Sequence, residues 1–232
     1  MTNMLYIPDT FNVPEKERAL LQCFVDGELD SYSVKLKELE GQELSLPYII
    51  ELVKTVAQNK KLSYRKPLVL AGASHCLPCA WEDVQIGRDL YTVAPAYYLD
   101  LAISTFTRYP QSVNDFLQQV YATTDFESPV IVTVGGLDLY TGGYLVGATS
   151  ELVESYCANF VRCIAMSLPG SYILPILPSK AISKEVRLLV NKLLHVSSLE
   201  YNVTLLSCPE DLPALDDRHF QPNYLQYILD EL

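Results

Sequence analysis

The segment at residues 67–80, PLVLAGASHCLPCA, joins an apolar run to a turn that is rich in small and polar residues. A short continuous apolar run that ends in glycine is typical of a buried strand entering a tight turn. The turn holds three side chains that can do chemistry: the hydroxyl of Ser74 and the thiols of Cys76 and Cys79. Each predicts a different kind of site, so the choice depends on what the rest of the chain brings to this turn.

Similar apolar runs recur along the chain, with helical stretches between them. Buried strands are predicted at 128–136 (SPVIVTVGG), 170–178 (GSYILPILP) and 202–209 (NVTLLSCP), and a weaker, edge-like strand at 89–95 (DLYTVAP). Apolar residues at helical spacing predict helices at 111–123, 148–166 and 181–195, and a last helix after Pro222. This alternation predicts an α/β fold, a parallel sheet of about five strands with helices on both faces.

The first 65 residues have a different pattern. Two short helices are predicted there, at 14–28 and 46–60, and a polar connector ends the region. We therefore expect an N-terminal helical extension at 1–65, packed on or beside the core, and an α/β domain at 66–232. Sites in such sheets lie beyond the carboxyl ends of the strands. The segments at that edge are 72–79, 94–97, 135–143, 177–180 and 208–220.

Charge and composition exclude several classes of function. The net charge is −11, and residues 67–232 carry eight Lys and Arg against eighteen Asp and Glu. An acidic body is a poor electrostatic match for nucleic acid or an anionic membrane. One basic group, expected to be a solvated helix face, comprises Lys180, Lys184, Arg187 and Lys192. No apolar run reaches the roughly 18 residues of a transmembrane helix, and the first residues lack a signal-peptide pattern, so a cytoplasmic protein is expected.

The two cysteines of the turn suggest redox or metal chemistry. A Cys-x-x-Cys pair at a helix N-terminus can be reactive, because the helix dipole favours the thiolate. Cys76-Leu-Pro-Cys79 has the local look of a thioredoxin site, but residues 85–125 are predicted to be mainly helical, where that fold needs a hairpin. His75 and the two cysteines could supply three zinc ligands, but a fourth ligand at the usual spacing is missing. We therefore expect no metal site and no cofactor.

Ser74 offers a third chemistry, nucleophilic hydrolysis. A serine at a strand-to-helix turn is exposed at the edge of the sheet, but it needs a base, and the base needs an orienting acid. Asp216 and His219 stand three residues apart in LDDRHFQPNY, directly after the last predicted strand. One segment could thus deliver an imidazole and a carboxylate to the same edge. Alternatively, Asp216 caps the final helix and His219 is a surface residue.

Taken together, these landmarks resemble the SGNH (GDSL-type) hydrolase family over about residues 66–232, as a divergent member. The matching residues are Gly72-Ala73-Ser74, Gly135-Gly136-Leu137-Asp138 and Asp216-Asp217-Arg218-His219. The resemblance implies a flavodoxin-like, doubly wound sheet. It also implies a serine esterase acting on a small acyl ester, with Ser74 as nucleophile, His219 as base and Asp216 as the acid that orients it.

The chain departs from the family pattern around the oxyanion hole. Ala73 stands where the family has Asp, and Leu137 stands where it has the Asn that donates to the oxyanion. The oxyanion hole and pocket are expected to involve Gly72, Gly136, Leu137 and Asp138. Loss of one oxyanion donor slows such reactions by about 10²–10³-fold unless another group, such as a backbone N–H near Leu137, replaces it.

Two functions therefore stay open. The first is an esterase with a rebuilt oxyanion hole. The second is a catalytically inactive module on the same fold that binds a protein, or less readily RNA, with residues 1–65 as the docking segment. The sequence does not indicate an oligomeric state.

Overall fold

The computed structural model of the protein describes residues 4–230 except 59, 61, 64, 125–127 and 141. Within these residues the strands are β1 (Leu5–Tyr6), β2 (Lys66–Gly72), β3 (Asp83–Ile86), β4 (Asp89–Tyr98), β5 (Val130–Thr133), β6 (Tyr172–Ile173) and β7 (Thr204–Leu205). The helices are α1 (Glu15–Val25), α2 (Leu29–Glu38), α3 (Pro47–Ala57), α4 (Thr105–Arg108), α5 (Pro110–Thr123), α6 (Ser150–Ser167), α7 (Lys184–Tyr201) and α8 (Tyr224–Leu229). Two short 3₁₀ turns, Ser74–Cys76 and Gly136–Leu139, follow β2 and β5. No helix in the described part of the chain is long and apolar enough to cross a membrane.

The strands form one mostly parallel sheet. Its order is β1-β4-β2-β5-β6-β7, and β3 pairs antiparallel with β4. Without β1 and β3, the remaining strands have the flavodoxin-like order of a doubly wound sheet. The predicted fold class is thus confirmed. The described sheet has seven strands rather than about five, because β1 and β3 both add to the outer side of β4.

The strand predicted at 89–95 is confirmed as β4, but its predicted edge position is wrong. β4 continues to Tyr98 and pairs with β2 on its inner side over the whole length of β2. Pro95 lies inside this strand, although a proline cannot donate to a strand ladder. On the outer side of β4, the N–H groups of Val93 and Tyr97 donate to the carbonyls of Glu82 and Met4. By alternation, Pro95 faces the gap between β3 and β1, where its missing N–H interrupts no hydrogen bond.

The N-terminal segment shares the core of the sheet. β1 pairs with β4, and Phe24 of α1 is fully buried, with its carbonyl accepting from the Trp81 indole N–H at 2.8 Å. The helices predicted at 14–28 and 46–60 are confirmed as α1 and α3, although residue 59 lies outside the described part. α2 was not predicted, because it buries only Tyr32 and its sequence is mainly polar. The boundary near residue 65 stays a prediction.

The helices predicted in the α/β region match α5, α6, α7 and α8, but α7 does not bury all of its periodic apolar residues. Val190 and Leu194 are buried, and Arg187 lies on the same face, 4% exposed, with two hydrogen bonds to Glu210 at 2.7 and 2.8 Å. Leu189, which fits the apolar periodicity, is 48% exposed. The prediction of a solvated basic face is therefore wrong for Arg187. Its hydrogen bonds to Glu210 allow this charged side chain to be buried.

Candidate active site

Three strand ends meet at one edge of the sheet. Gly72, the last residue of β2, is in register with Tyr97 of β4 and with Thr133 of β5. The turns after these strands therefore lie side by side, at the edge where parallel sheets place their sites. Ser74 begins the 3₁₀ turn that follows β2, and it is half-buried.

Asp216 and His219 belong to a tight loop near the end of the chain. An isolated β-bridge between Ala214 and Phe220 closes the loop. Asp216 Oδ1 accepts from the backbone N–H groups of Arg218 at 2.6 Å and His219 at 2.8 Å. His219 is 1% exposed, and the cap of α8 is at Asn223. The alternative of a capping Asp216 and a surface His219 is therefore wrong.

The structure brings the three predicted side chains together. Ser74 Oγ lies 2.9 Å from His219 Nε2, and His219 Nδ1 lies 3.0 Å from Asp216 Oδ2. The sequence separates Ser74 from His219 by 145 positions. This continuous chain of hydrogen bonds lets an imidazole take a hydroxyl proton while a carboxylate holds its opposite N–H.

The charge states fit that task. Burial lowers the pKa of His219 below its ordinary value, although the Asp216 carboxylate opposes this. Burial raises the pKa of Asp216, but hydrogen bonds from the Arg218 N–H and from His219 outweigh it, and the pKa lies below its usual value. At neutral pH the imidazole is therefore uncharged and the carboxylate ionised, the combination that a general base with an orienting acid requires.

Sequence reasoning missed Tyr48, at the start of α3. Its hydroxyl lies 2.7 Å from His219 Nδ1 and 3.2 Å from Asp216 Oδ2. The Arg218 guanidinium lies over the Tyr48 ring at 5.6 Å and over the Tyr140 ring at 5.1 Å. A single tyrosine in an N-terminal helix forms no motif, so no sequence signal pointed to it.

His75 connects the two halves of the site from the buried side. It is 7% exposed, its ring lies 5.4 Å from the His219 ring with Nδ1 unpartnered among the described residues, and its carbonyl accepts from the Tyr224 hydroxyl at 2.9 Å. Burial lowers the pKa of His75 to about 4, with a further contribution from His219. His75 is therefore neutral, and it braces the Ser74 turn against the loop that carries His219.

The predicted oxyanion and pocket residues lie around the turn after β5. Leu137 is half-buried, and its side chain carries no donor. Asp138 is buried, and its carboxylate accepts from the N–H and the hydroxyl of Ser104. Burial raises the pKa of Asp138 despite these bonds. Gly136 packs so tightly that a Cβ there would lie 2.1 Å from Ile182 Cδ1.

A cavity of about 570 Å³ opens beside this turn. Leu137 and Asp138 line it together with residues that follow β1 and β4. Its aromatic and basic lining consists of Tyr6, Phe11, Tyr98, Arg108, Tyr109 and Tyr144. The volume falls in the range of small-molecule sites.

The cysteines of the turn are not placed for chemistry. Cys76 and Cys79 are fully buried; burial raises the pKa of Cys79 to about 12 and that of Cys76 well above its ordinary value. Because the thiolate is the reactive form, a redox role does not fit this environment. Among the described residues no group of His, Cys, Asp and Glu is placed to hold a metal ion.

Comparisons with known proteins give structural matches only. No protein-family model and no curated protein matches the chain. A lipase/acylhydrolase from Enterococcus faecalis is 11% identical, with a TM-score of 0.47 over 72% of this chain and 94% of that chain. A member of the lipolytic G-D-S-L family from Veillonella parvula is 13% identical, with a TM-score of 0.48 over 72% and 97%. Axe2, an acetylxylan esterase from Geobacillus stearothermophilus, is 12% identical, with a TM-score of 0.45 over 74% and 93%.

The second of these structures is described as a member of the G-D-S-L family. At such identities the likeness concerns the fold.

Proposed function

We propose that this protein is a serine ester hydrolase. The observation that carries the proposal is the unbroken chain from Ser74 Oγ through the two nitrogens of His219 to Asp216 Oδ2, with contacts of 2.9 and 3.0 Å. A binding module has no need for this alignment. The docking role of residues 1–65 is weakened, because β1, α1 and α3 bury their apolar residues in the chain's own core.

The reaction proceeds in two halves. Ser74 Oγ attacks the acyl carbonyl carbon while its proton moves to His219 Nε2. Asp216 stabilises the imidazolium, which then gives the proton to the leaving alcohol as the C–O bond breaks. Water then attacks the acyl-serine while His219 takes its proton. The imidazolium returns this proton to Ser74 Oγ as the ester bond to Ser74 breaks, and the carboxylic acid leaves.

The oxyanion hole in this proposal is built from backbone donors. Ser74 is the first residue of one 3₁₀ turn, and Gly136 and Leu137 are the first two of the other. The first N–H groups of a helical turn have no acceptor within the turn. They supply the hydrogen bonds that the Leu137 side chain does not. The cavity that Leu137 lines has neither Ser74 nor His219 in its lining.

Covalent labelling tests the proposal directly. The folded wild-type chain is incubated with a fluorophosphonate, and the adduct is located by mass spectrometry. Turnover is followed with p-nitrophenyl acetate, whose good leaving group suits an enzyme with few oxyanion donors. Ser74→Ala and His219→Gln are the test variants, and Ser33→Ala, at an exposed serine of α2, is the matched control.

We expect an adduct on Ser74 in the wild type and in Ser33→Ala, strongly reduced labelling in His219→Gln, and loss of turnover in both site variants. Absence of an adduct, together with turnover that does not change in Ser74→Ala, would overturn the proposal in favour of a binding role.

A further inference from the structure

We propose that Tyr48 is a positioning residue of this site, so that the N-terminal segment completes the machinery of the α/β domain. The inference rests on the proposed hydrolase function. Three contacts carry it. The Tyr48 hydroxyl meets His219 Nδ1 at 2.7 Å and Asp216 Oδ2 at 3.2 Å, and the Tyr48 ring lies 5.4 Å from the His219 ring.

The hydrogen bonds that Asp216 accepts indicate where the protons of His219 and Tyr48 lie. Its Oδ1 is occupied by the backbone N–H groups of Arg218 and His219, so Oδ2 alone faces His219 Nδ1 and Tyr48. An ionised carboxylate only accepts. His219 Nδ1 therefore carries its proton, the Tyr48 hydroxyl points its proton at Oδ2, and the Tyr48 oxygen accepts from Nδ1–H.

The opposite tautomer is disfavoured by the same groups. With the proton on Nε2, the Nδ1 lone pair would face the Asp216 carboxylate at 3.0 Å, and Ser74 would meet an N–H instead of a base. Tyr48 thus supports the tautomer that can take the Ser74 proton. The Tyr48 oxygen also stabilises the imidazolium that forms when His219 takes the Ser74 proton, because it accepts from Nδ1–H. This contact, at 2.7 Å, is shorter than the 3.0 Å contact between Nδ1 and Asp216 Oδ2.

Tyr48 keeps its proton in this environment. Burial and the neighbouring Asp216 carboxylate raise the pKa of Tyr48 well above its ordinary value. The hydroxyl therefore acts as a neutral donor and acceptor and does not compete as an acid.

The fold holds Tyr48 in place from behind. Glu17 of α1 is 2% exposed, and its carboxylate accepts from the backbone N–H groups of Ser45 and Leu46, just before α3. Ile49 and Ile50, the next residues of α3, are buried. Tyr48 is itself 43% exposed, and its side chain extends from an anchored helix start to the loop of His219.

The titration of His219 reports on Tyr48 independently of turnover. His219 is faced by Asp216 and Arg218 from its own loop, by His75 from the turn after β2 at 5.4 Å between rings, and by Tyr48 from α3. Removing the Tyr48 oxygen takes one acceptor from the imidazolium. The pKa of His219 should therefore fall, and the general base should weaken.

The experiment uses the full chain with Tyr48→Phe, which keeps the ring and removes only the hydroxyl. Tyr227→Phe, at an exposed tyrosine of α8, is the matched control. kcat and KM for p-nitrophenyl acetate are measured against pH. The imidazole pKa values are measured by NMR on ¹⁵N-histidine-labelled protein, in which His219→Gln assigns the His219 signal. The same spectra show that each variant is folded.

For Tyr48→Phe we expect kcat to fall roughly 3- to 10-fold with little change in KM, as for the loss of one hydrogen bond. The acid limb of the pH profile and the NMR pKa of His219 should both move down by about half a pH unit.

Tyr48→Phe behaving like Tyr227→Phe in both measurements would overturn the inference. If the wild type neither turns over esters nor labels at Ser74, the hydrolase proposal fails separately. The NMR comparison then still decides the role of Tyr48: a lower pKa of His219 in Tyr48→Phe supports it, and an unchanged one overturns it.

Discussion

Gly72 and Thr133 pack so closely across β2 and β5 that a Cβ at position 72 would lie 2.0 Å from the Thr133 carbonyl oxygen. No real Cβ can approach that closely, and the obstacle is backbone rather than a movable side chain. The close approach lets the turn that carries Ser74 lie beside the turn at Gly136–Leu139. A glycine here therefore sets the spacing of the site.

Gly72→Ala should destabilise the protein by about 3 kcal/mol, because overpacking a well-ordered core costs about 1–3 kcal/mol and the neighbouring backbone cannot yield. Urea unfolding measures the change. Gly41→Ala is the control, since Gly41 has positive φ but open space around it, and it should cost only about 1–2 kcal/mol. Equal losses in the two variants would contradict the packing argument.

Glu17→Gln should weaken the support of the helix that carries Tyr48. Glu17 Oε2 accepts from the Leu46 N–H and the Ser45 hydroxyl, both at 2.9 Å, and an amide nitrogen in that place would face two donors. We expect a loss of about 1.5–3 kcal/mol in the free energy of unfolding, together with lower ester turnover. Urea unfolding and turnover are compared with Glu40→Gln, at an exposed glutamate. A Glu17→Gln protein as stable as this control would rule out the anchoring role.

His75 should make the folded state sensitive to acid. Its pKa is about 4 in the folded chain, against an ordinary 6.5 when unfolded. Below about pH 6.5 the unfolded chain binds a proton at His75, whereas the folded chain does not. The free energy of unfolding therefore falls as the pH drops toward 4. Between pH 7 and 5 this contribution is about 2 kcal/mol.

The test compares the pH dependence of urea unfolding in wild type and in His75→Gln, which removes the titrating ring. The variant should lose less stability than the wild type between pH 7 and 5. His195→Gln, at an exposed histidine of α7, is the control and should follow the wild type. Identical slopes in His75→Gln and wild type would show that His75 does not carry the effect.

The sequence indicated the sheet and the Ser74–His219–Asp216 group, because apolar runs and short motifs are local signals. It did not indicate Tyr48, since its contacts depend on how α3 docks against a loop about 170 residues later. The edge position predicted for β4 failed for a related reason. A proline signals a missing donor, but only the assembled sheet shows that β3 and β1 leave a gap at Pro95.

Arg187 and Asp138 make the same point about charged residues. Each is polar in sequence and buried in the fold, because a partner far along the chain compensates its burial: Glu210 for Arg187, and Ser104 for Asp138. Periodicity cannot reveal a partner of this kind. Periodicity therefore predicted a solvent-exposed Arg187, and it gave no sign that the Asp138 carboxylate is bonded to Ser104.

Leu137→Asn tests whether the oxyanion hole lacks a hydrogen-bond donor. The variant puts an amide donor at the half-buried position beside the cavity, in a side chain of similar length. A side-chain donor of this kind is worth about 10²–10³ in rate where it is optimally placed. We expect kcat for p-nitrophenyl acetate to rise roughly tenfold, since the position was not shaped for an amide.

The matched control is the double variant Ser74→Ala/Leu137→Asn, in which no rise should occur. A rate that stays at the wild-type value in folded Leu137→Asn would mean that backbone N–H groups already fill the hole, and that the leucine has no cost to catalysis.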